Sequence, residues 1–301
     1  MAGTTFHLDH LIAESIYILR EAVAGARNPV MLFSAGKDST VMAHLALRAF
    51  YPAVPPFPLL HIDSTWEFRE LLDFRDRFAA RHGFRLIVAA NAAGRAEGIN
   101  PFDHGDHYTR VMRTEPLKQA LDGGGYDIVF GGARRDEERA RAKERIFSVR
   151  DAGHAWNPRA QRPELWRLFN TALLPSQSLR VFPLSNWTET DIWLYALSNR
   201  LELAPLYFST VRPVVDRDGA LIAVDEPDRM HWRPGERPAL RTVRFRTLGC
   251  WPVTGAIESD AADLRTVMVE TQAARMSERQ GRVSDGAESS SLEQKKLEGY
   301  F

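Results

Sequence analysis

Apolar and polar residues alternate along the first third of the chain in two different periods. Short apolar runs typical of buried strands occur at 30–33, 59–63 and 84–89. Apolar residues at helical spacing, with charged residues between them, occupy 8–23, 39–50 and 68–79. This β-α-β-α-β order predicts parallel strands with helices on both faces of the sheet.

The pattern becomes less regular further along. Residues 126–130 and 179–184 are predicted strands, 116–121 a short helix, and Thr188 to Asp191 a capping box that starts another helix. Residues 91–107 show no clear period and are predicted to form a long loop. The expected fold is therefore α/β, doubly wound, with a mainly parallel sheet. We place a domain at 1–211 and an extension of short strands at 212–301, in which 283–301 is serine-rich, charged and expected to be flexible.

Composition narrows the function classes only slightly. The 301 residues carry 39 Lys plus Arg and 39 Asp plus Glu, so the net charge is zero and predicts neither nucleic acid nor a membrane as partner. The single cysteine, Cys250, excludes an intrachain disulfide. No apolar run reaches the roughly 18 residues of a spanning helix, and no signal peptide is recognisable, so a cytoplasmic protein is expected.

The turn between the first strand and the second helix is the strongest candidate site. Its sequence, Ser34-Ala35-Gly36-Lys37-Asp38-Ser39, is rich in small residues. A turn that leads into a helix N-terminus directs backbone N–H groups at one point and suits an anion. The Walker pattern is absent, because Met31 stands where it needs glycine and Asp38 where it needs Ser or Thr. An ordinary βα turn with a chance glycine remains the alternative.

A second candidate follows the strand at 126–130. Gly131 and Gly132 end that strand, and Arg134 and Arg135 begin a strongly charged run, 133–145. The outer residues of such a run usually form a solvated helix face. Arg134 and Arg135 differ, because the carboxyl end of their strand lies beside the turn at Ser34–Ser39. Guanidinium groups clasp tetrahedral oxyanions such as phosphate and sulfate, so we predict that role for both arginines.

Two further signals are interpreted as structural. The run Asp103-His104-Gly105-Asp106-His107 could ligate a metal, but it lacks further ligands and is predicted to be a polar loop, so no metal site is expected. Cys250 could be a nucleophile, but a lone cysteine is more often a small buried apolar residue.

Longer motifs give a specific resemblance. Ser34, Gly36, Asp38 and Ser39 match the Ser-x-Gly-x-Asp-Ser pyrophosphate loop of the adenylating ATP pyrophosphatases (PP-loop proteins). Nearly the whole chain resembles the family of small, ATP-binding subunits of two-subunit bacterial sulfate adenylyltransferases. The motifs that carry this resemblance are Glu14–Ile16, Asn28–Leu32, Pro56–Asp63, Gly98–Phe102, Phe130–Glu138, Arg141–Arg145, Val181–Glu189, Arg244–Pro252, Ser277–Arg282 and Gly299–Phe301. Departures are Ala35, where a bulkier apolar residue is common, and Ser64-Thr65, where Thr-Gly is usual.

This resemblance implies a fold of the adenine nucleotide α-hydrolase type, with 1–211 as the ATP-binding adenylyltransferase domain. It also implies a reaction in which sulfate attacks the α phosphate of ATP, giving adenosine 5′-phosphosulfate and pyrophosphate, as the first step of sulfate assimilation. The implied cofactor is Mg²⁺ with the substrate ATP. The implied partner is a large GTPase subunit of elongation-factor type, which alone binds GTP and drives the uphill reaction by its hydrolysis.

The resemblance also implies roles for particular residues. Lys37, Arg134 and Arg135 are the expected catalytic residues, which neutralise phosphate and sulfate charge. The expected nucleotide-binding residues are Ser34, Gly36, Lys37, Asp38, Ser39, His61, Ile62, Asp63 and Gly132.

Three alternatives stay open at this point. A sulfonucleotide reductase has the same type of loop, but its Glu-Cys-Gly context near the chain end is missing here. A non-catalytic nucleotide-binding scaffold for the GTPase would show the same loop. A tRNA-modifying adenylase would usually carry cysteine pairs or a basic face.

Overall fold

A six-stranded sheet forms the centre of the structure, a computed structural model that describes residues 2–137 and 139–273. Its strands are β1 (Pro29–Leu32), β2 (Leu59–Asp63), β3 (Leu86–Ala90), β4 (Ile128–Phe130), β5 (Phe147–Arg150) and β6 (Ser178–Val181). They lie in the order β3-β2-β1-β4-β6-β5, and every neighbouring pair is parallel except β5 with β6. The chain proceeds from β1 to β2 on one side, whereas β4 lies on the other side, so β1 and β4 form the topological switch point.

Helices cover both faces of this sheet. They are α1 (Ala2–Gly25), α2 (Lys37–Phe50), α3 (Arg69–Arg81), α4 (Ala92–Ala96), α5 (Gly105–Thr109), α6 (Glu115–Gly124), α7 (Arg139–Ala142), α8 (Glu189–Ser198) and α9 (Leu264–Ala273), with a π-helical turn at Arg110–Thr114. On one face, Leu117 and Leu121 of α6 pack on Val30, Leu60 and Val129. The larger cluster on the other face takes in α1, α2, α3 and α8. The predicted doubly wound α/β fold is confirmed.

A small antiparallel barrel follows the sheet. Its strands are β7 (Thr210–Arg217), β8 (Ala220–Ala223), β9 (Ala239–Arg244) and β10 (Gly255–Glu258), in the closed order β10-β8-β7-β9. The segment between β9 and β10 returns to the sheet, because Cys250 pairs with Glu67 and Trp251 N–H donates to the Trp66 carbonyl (2.9 Å). Residues of this late segment therefore reach the carboxyl end of β2.

Several local predictions are confirmed. Thr188 and Asp191 form the capping box of α8, in which each side chain bonds the other residue's backbone N–H. Trp187 and Trp193 are fully buried, as expected for packing residues. Among the helices of the described residues, none is both long and apolar enough to cross a membrane.

Helix α2 begins at Lys37, close to its predicted start near Ser39, so the lysine lies in its first turn. Other local predictions are wrong. The supposed loop 91–107 contains α4 and the start of α5, which are too short to show a period; Asn91 caps α4 by accepting the Gly94 N–H (3.0 Å). Among the described residues of 133–145, only Arg139–Ala142 is helical, and β5 was not predicted. The tail predicted to be flexible, 283–301, lies outside the described residues.

Candidate active site

The loop between β1 and α2 lies at the switch point of the sheet. Gly36 is the N-cap residue of α2, and its carbonyl accepts hydrogen bonds from the hydroxyls of Ser39 (3.1 Å) and Thr40 (2.8 Å). The Ser34 and Ser39 hydroxyl oxygens lie 3.2 Å apart. These bonds hold the loop tightly over the helix N-terminus, where the first backbone N–H groups and the helix dipole favour an anion.

Close packing within the loop limits what its small residues can be. Ala35 is fully buried with a positive φ of 58°, a conformation that costs a non-glycine residue roughly 1–2 kcal/mol. A Cβ on Gly36 would lie 3.3 Å from both the Ser34 Oγ and the Tyr207 Oη. A Cβ on Gly132, at the end of β4, would lie 3.4 Å from backbone atoms of Asp38 and Ser39. The loop therefore contacts its neighbours closely at the two predicted glycines, Gly36 and Gly132.

Three charged residues form a buried cluster at the start of α2. The Lys37 side chain is only 2% exposed, and its Nζ lies 3.2 Å from Asp38 Oδ2. Arg134, fully buried, donates its Nε–H to the other oxygen, Asp38 Oδ1 (2.7 Å), and lies 3.5 Å from Asp136. Asp38 therefore fixes the position of two cations that come from different parts of the chain.

The ionisation of Asp38 follows from this arrangement. Burial alone would raise the pKa of its carboxyl group, but the charges and hydrogen bonds of Lys37 and Arg134 outweigh burial and lower the pKa to about 2. Asp38 is then ionised at neutral pH, and the three residues together carry one net positive charge. A helix N-terminus with a net cation beside it is chemically suited to hold a phosphate chain.

A single pocket collects most of the predicted nucleotide-binding residues. Those that line it are Ser34, Gly36, Lys37, Asp38, Ser39, His61, Ile62 and Gly132. Asp63, Arg134 and Arg135 are not among the described residues that line it. The Asp63 carboxylate accepts the Thr65 N–H (2.7 Å), and the Arg135 guanidinium donates to Asn186 Oδ1 (2.6 Å). Arg134 is connected to the pocket through its bond to Asp38, which does line it.

Two arginines that the sequence did not single out line the pocket. Arg141 comes from α7, and its Nε lies 3.2 Å from Glu137 Oε2. Glu137 in turn accepts the Arg134 N–H (3.1 Å), so the run after β4 folds back over the pocket. Arg113, in the π-helical turn, lines the pocket from the other side. The charged run was a signal for Arg141, whereas no sequence pattern pointed to Arg113.

Tyr207 is the third residue that sequence reasoning missed. It is buried, lines the pocket, and its hydroxyl accepts the backbone N–H of Lys37 (2.8 Å). Its ring packs edge-on against Trp193, with centroids 5.5 Å apart. Tyr207 thus connects the Ser34–Ser39 loop to the apolar core under α8.

The end of β2 forms a pocket wall with hydrogen-bond acceptors. His61 Nδ1 lies 2.9 Å from the Phe33 carbonyl and must donate to it, which leaves Nε2 as an acceptor. Burial lowers the pKa of His61, so the ring is neutral at pH 7. Within the described residues His61 Nε2 and Glu67 Oε2 are buried without a hydrogen-bond partner, and both side chains line the pocket. Leu32, Ile62 and Leu117 supply apolar surface beside them.

Cys250 is a buried residue that packs among other side chains. Its Sγ lies 3.0 Å from the Tyr108 hydroxyl and 3.3 Å from that of Ser64. Burial raises the pKa of the thiol, which keeps it protonated and poorly nucleophilic. In the part of the chain that the structure describes, no group of three or more His, Cys, Asp or Glu side chains, the run 103–107 included, is placed to hold a metal ion.

Comparison with known proteins gives consistent relatives over the full length. A profile of the family described as "Phosphoadenosine phosphosulfate reductase domain" matches residues 28–256. The chain is 60% identical over 296 residues to Sulfate adenylyltransferase subunit 2 of Myxococcus xanthus, covering 98% of this chain and 97% of that protein. It is 59% identical over 302 residues to the protein of the same name from Geotalea daltonii, with both chains fully covered.

The solved structures that match this chain are much more distant in sequence. A phosphoadenylyl-sulfate reductase from Candida auris, in a phosphate complex, has a TM-score of 0.47 and 18% identity, covering 66% of this chain and 89% of that one. A Candida glabrata FMN adenylyltransferase with FAD and inorganic pyrophosphate has a TM-score of 0.49 and 16% identity, covering 67% and 60%.

Proposed function

We propose a reaction for this pocket from one premise: the chain belongs to the family of sulfate adenylyltransferase subunit 2 proteins. It is a nucleotidyltransferase that converts ATP and sulfate to adenosine 5′-phosphosulfate and pyrophosphate. The observation that carries the assignment of this reaction to the pocket is the Ser34–Ser39 loop, with Lys37 and the N-terminus of α2 at the switch point of the sheet.

The loop is proposed to hold the β and γ phosphates of ATP as one leaving group. The Ser34 hydroxyl and the first-turn N–H groups of α2, other than that of Lys37, which bonds Tyr207, are the proposed hydrogen-bond donors for phosphate oxygens; the Ser39 hydroxyl, which donates to the Gly36 carbonyl, holds the loop in shape. Lys37 neutralises the charge that accumulates on the departing pyrophosphate, and Asp38 and Arg134 keep it in place. Because the two outer phosphates are held, the α phosphate is the one that remains open to attack.

The adenosine is proposed to lie against the end of β2. Leu32, Ile62 and Leu117 offer an apolar surface for the base, and His61 Nε2 is a buried acceptor for one of its N–H groups or a ribose hydroxyl. Asp63, which supports the Thr65 turn, is proposed to shape the end of this wall rather than contact the nucleotide.

Sulfate is proposed to bind between the pocket arginines. Sulfate is a weak nucleophile that carries no proton to remove at neutral pH, so catalysis rests on positioning and on charge neutralisation. Arg113 and Arg141 line the pocket and are suited to a tetrahedral dianion. Arg134 is proposed to act as a positioning residue through Asp38, and Arg135, which is bonded to Asn186, to hold the loop around Asn186 in place.

The proposal also covers the metal ion, the partner subunit and the cellular compartment. The Asp38 oxygens are bonded to Lys37 and Arg134, so we propose that Mg²⁺ enters as the counter-ion of ATP, held by its phosphates. The name "subunit 2" of the relatives implies a partner subunit. We propose that this partner hydrolyses GTP to drive the uphill reaction, and that the pair works in the cytoplasm.

We also propose that 1–211 is the ATP-binding domain and that 212–301 is an extension, which adds Thr247–Gly249 to the pocket.

The test is a product assay on the chain together with its partner subunit. With ATP, GTP, Mg²⁺ and sulfate, adenosine 5′-phosphosulfate and pyrophosphate are expected in equal amounts, and both disappear when sulfate is left out. Pyrophosphate release that is independent of sulfate, or ATP binding without any product, would overturn the proposal.

A further inference from the structure

A segment between β5 and β6 carries large apolar side chains into solvent. Leu165, Trp166 and Leu168 are 63%, 87% and 66% exposed. These three residues, with the intervening backbone, are called the Trp166 tip below. Large apolar side chains that lie next to one another on a protein surface mark an interaction site.

The segment before the tip is fixed to the edge of the central sheet. The Glu164 carboxylate accepts the backbone N–H groups of Ile146 (3.1 Å) and Phe147 (2.7 Å). The Gln161 side chain accepts the Val149 N–H (2.9 Å) and donates to the Val149 carbonyl (3.1 Å). These side chains satisfy the outer edge of β5, which would otherwise be open to pairing with another strand.

The segment after the tip is fixed as well. The Phe169 ring stacks on Phe147 of β5, with centroids 4.4 Å apart and planes 16° from parallel. Its other neighbour is Tyr17 of α1, at 6.0 Å. The tip is therefore attached to the edge of the sheet on each side, at Glu164 and at Phe169.

Trp166 itself has an unfavourable backbone conformation. Its φ of 52° and ψ of 27° lie in the left-handed region, which a bulky residue rarely adopts. Such a conformation persists where its surroundings impose it and is frequent at binding sites. The indole ring of Trp166 is 87% exposed in this conformation.

Charge around the tip favours one kind of occupant. Arg159 is exposed and Arg162 is partly exposed, whereas Glu164, the acidic residue between them and the tip, is bonded to β5. An interface with a second copy of this chain at the tip would bring the positive charge of both patches into one interface. A partner with an apolar pocket bordered by carboxylates avoids that repulsion and suits a Trp and Arg anchor.

We propose that the Trp166 tip is the docking site for the other subunit of the sulfate adenylyltransferase, and that Trp166 fills an apolar pocket on it with acidic residues around the rim. This inference rests on the proposed function only for the identity of the partner. The relatives' name "subunit 2" implies a partner subunit, and the tip is an exposed apolar surface, with arginines in the segment before it, that such a partner could cover.

The test measures binding of the full chain to purified subunit 1 from the same organism, by calorimetry and sedimentation velocity. Trp166→Ala is expected to raise the Kd at least about 30-fold, as loss of a central aromatic anchor does. Trp166→Gly, which relieves the left-handed strain, is expected to weaken binding equally while the thermal midpoint holds or rises. Arg162→Glu is expected to slow association and to reduce its salt dependence.

Leu240→Ala is the matched control, because Leu240 is 74% exposed on β9. Its Kd should stay within about two-fold of wild type. The proposal is overturned if Trp166→Ala binds subunit 1 as tightly as Leu240→Ala, if no wild-type complex forms, or if the chain alone forms dimers that Trp166→Ala dissociates. A complex that the Trp166 variants break, but that releases no pyrophosphate with sulfate, would refute the proposed function and leave the docking site standing.

Discussion

Replacing Asp38 by asparagine tests whether one carboxylate holds the two cations of the site. The change keeps the shape of the side chain and removes its charge. Lys37 and Arg134, 2% and 0% exposed, would then lose the anion to which both are bonded. Burial of cations without a counter-charge is unfavourable, so the free energy of unfolding should fall.

The structure gives the size of this loss. A pKa lowered from 3.8 to about 2 corresponds to about 2.5 kcal/mol, at 1.36 kcal/mol for each pH unit. Breaking a fully buried ion pair costs about 3–5 kcal/mol. The smaller figure is the better expectation, because Asp136 also lies 3.5 Å from Arg134 and would still compensate part of the charge of that arginine. We expect Asp38→Asn to lose about 2–3 kcal/mol at pH 7.

The assay is urea unfolding of the wild type, of Asp38→Asn and of a control, Asp136→Asn. Asp136 is 50% exposed, so its contribution should stay below about 1 kcal/mol. The folded-state pKa of Asp38 is lowered, so its contribution is complete above pH 3.8 and is lost as the pH falls towards 2. If both variants unfold with the same free energy at pH 7, Asp38 does not organise the cluster.

Three further changes test the site and its surroundings. Lys37→Met should lower the rate constant for sulfate-dependent pyrophosphate release about 10²–10³-fold, whereas Lys118→Met, outside the pocket, should leave it nearly unchanged; equal rates would exclude Lys37 from charge neutralisation. Burial, with the charges of Arg48 and His82, lowers the pKa of His44 to about 4, so the unfolded chain takes up a proton first and stability should fall as the pH drops from 6.5 to 4. His44→Gln should remove about 1–3 kcal/mol of that fall in urea titrations, and an unchanged pH profile would contradict the buried neutral ring. Thr65 has a φ of 67°, which is unfavourable for a β-branched residue, so Thr65→Gly should raise the thermal midpoint more than Ala35→Gly does; a lower midpoint would refute the strain.

The sequence predicted the features that depend on local pattern. The β1 strand, the small-residue turn and the helix after it were recognisable because their periodicity and composition are local properties. The capping box at Thr188 was recognisable for the same reason. Eight of the residues predicted to bind nucleotide line one pocket because parallel strands place their carboxyl ends at one edge of the sheet.

Features that depend on long-range contacts were missed. Arg113 and Tyr207 reach the pocket from segments without a recognisable motif, and only the folded chain brings them to Lys37. The bond between Arg134 and Asp38, which lie 96 positions apart in the chain, could not be inferred from local pattern either. The Trp166 tip was equally invisible, because exposure of an indole ring cannot be inferred from its neighbours in sequence.

The fate of the terminal phosphate of ATP is the most direct test of the account. The chain and its partner subunit are incubated with ATP labelled at the γ phosphate, unlabelled GTP, Mg²⁺ and sulfate, and the labelled product is identified by chromatography. If the loop beside Lys37 holds the β and γ phosphates as one leaving group, the label appears in pyrophosphate and only when sulfate is present. Label released as orthophosphate would show that the bond between the β and γ phosphates is the one that breaks, and would contradict the proposed reaction.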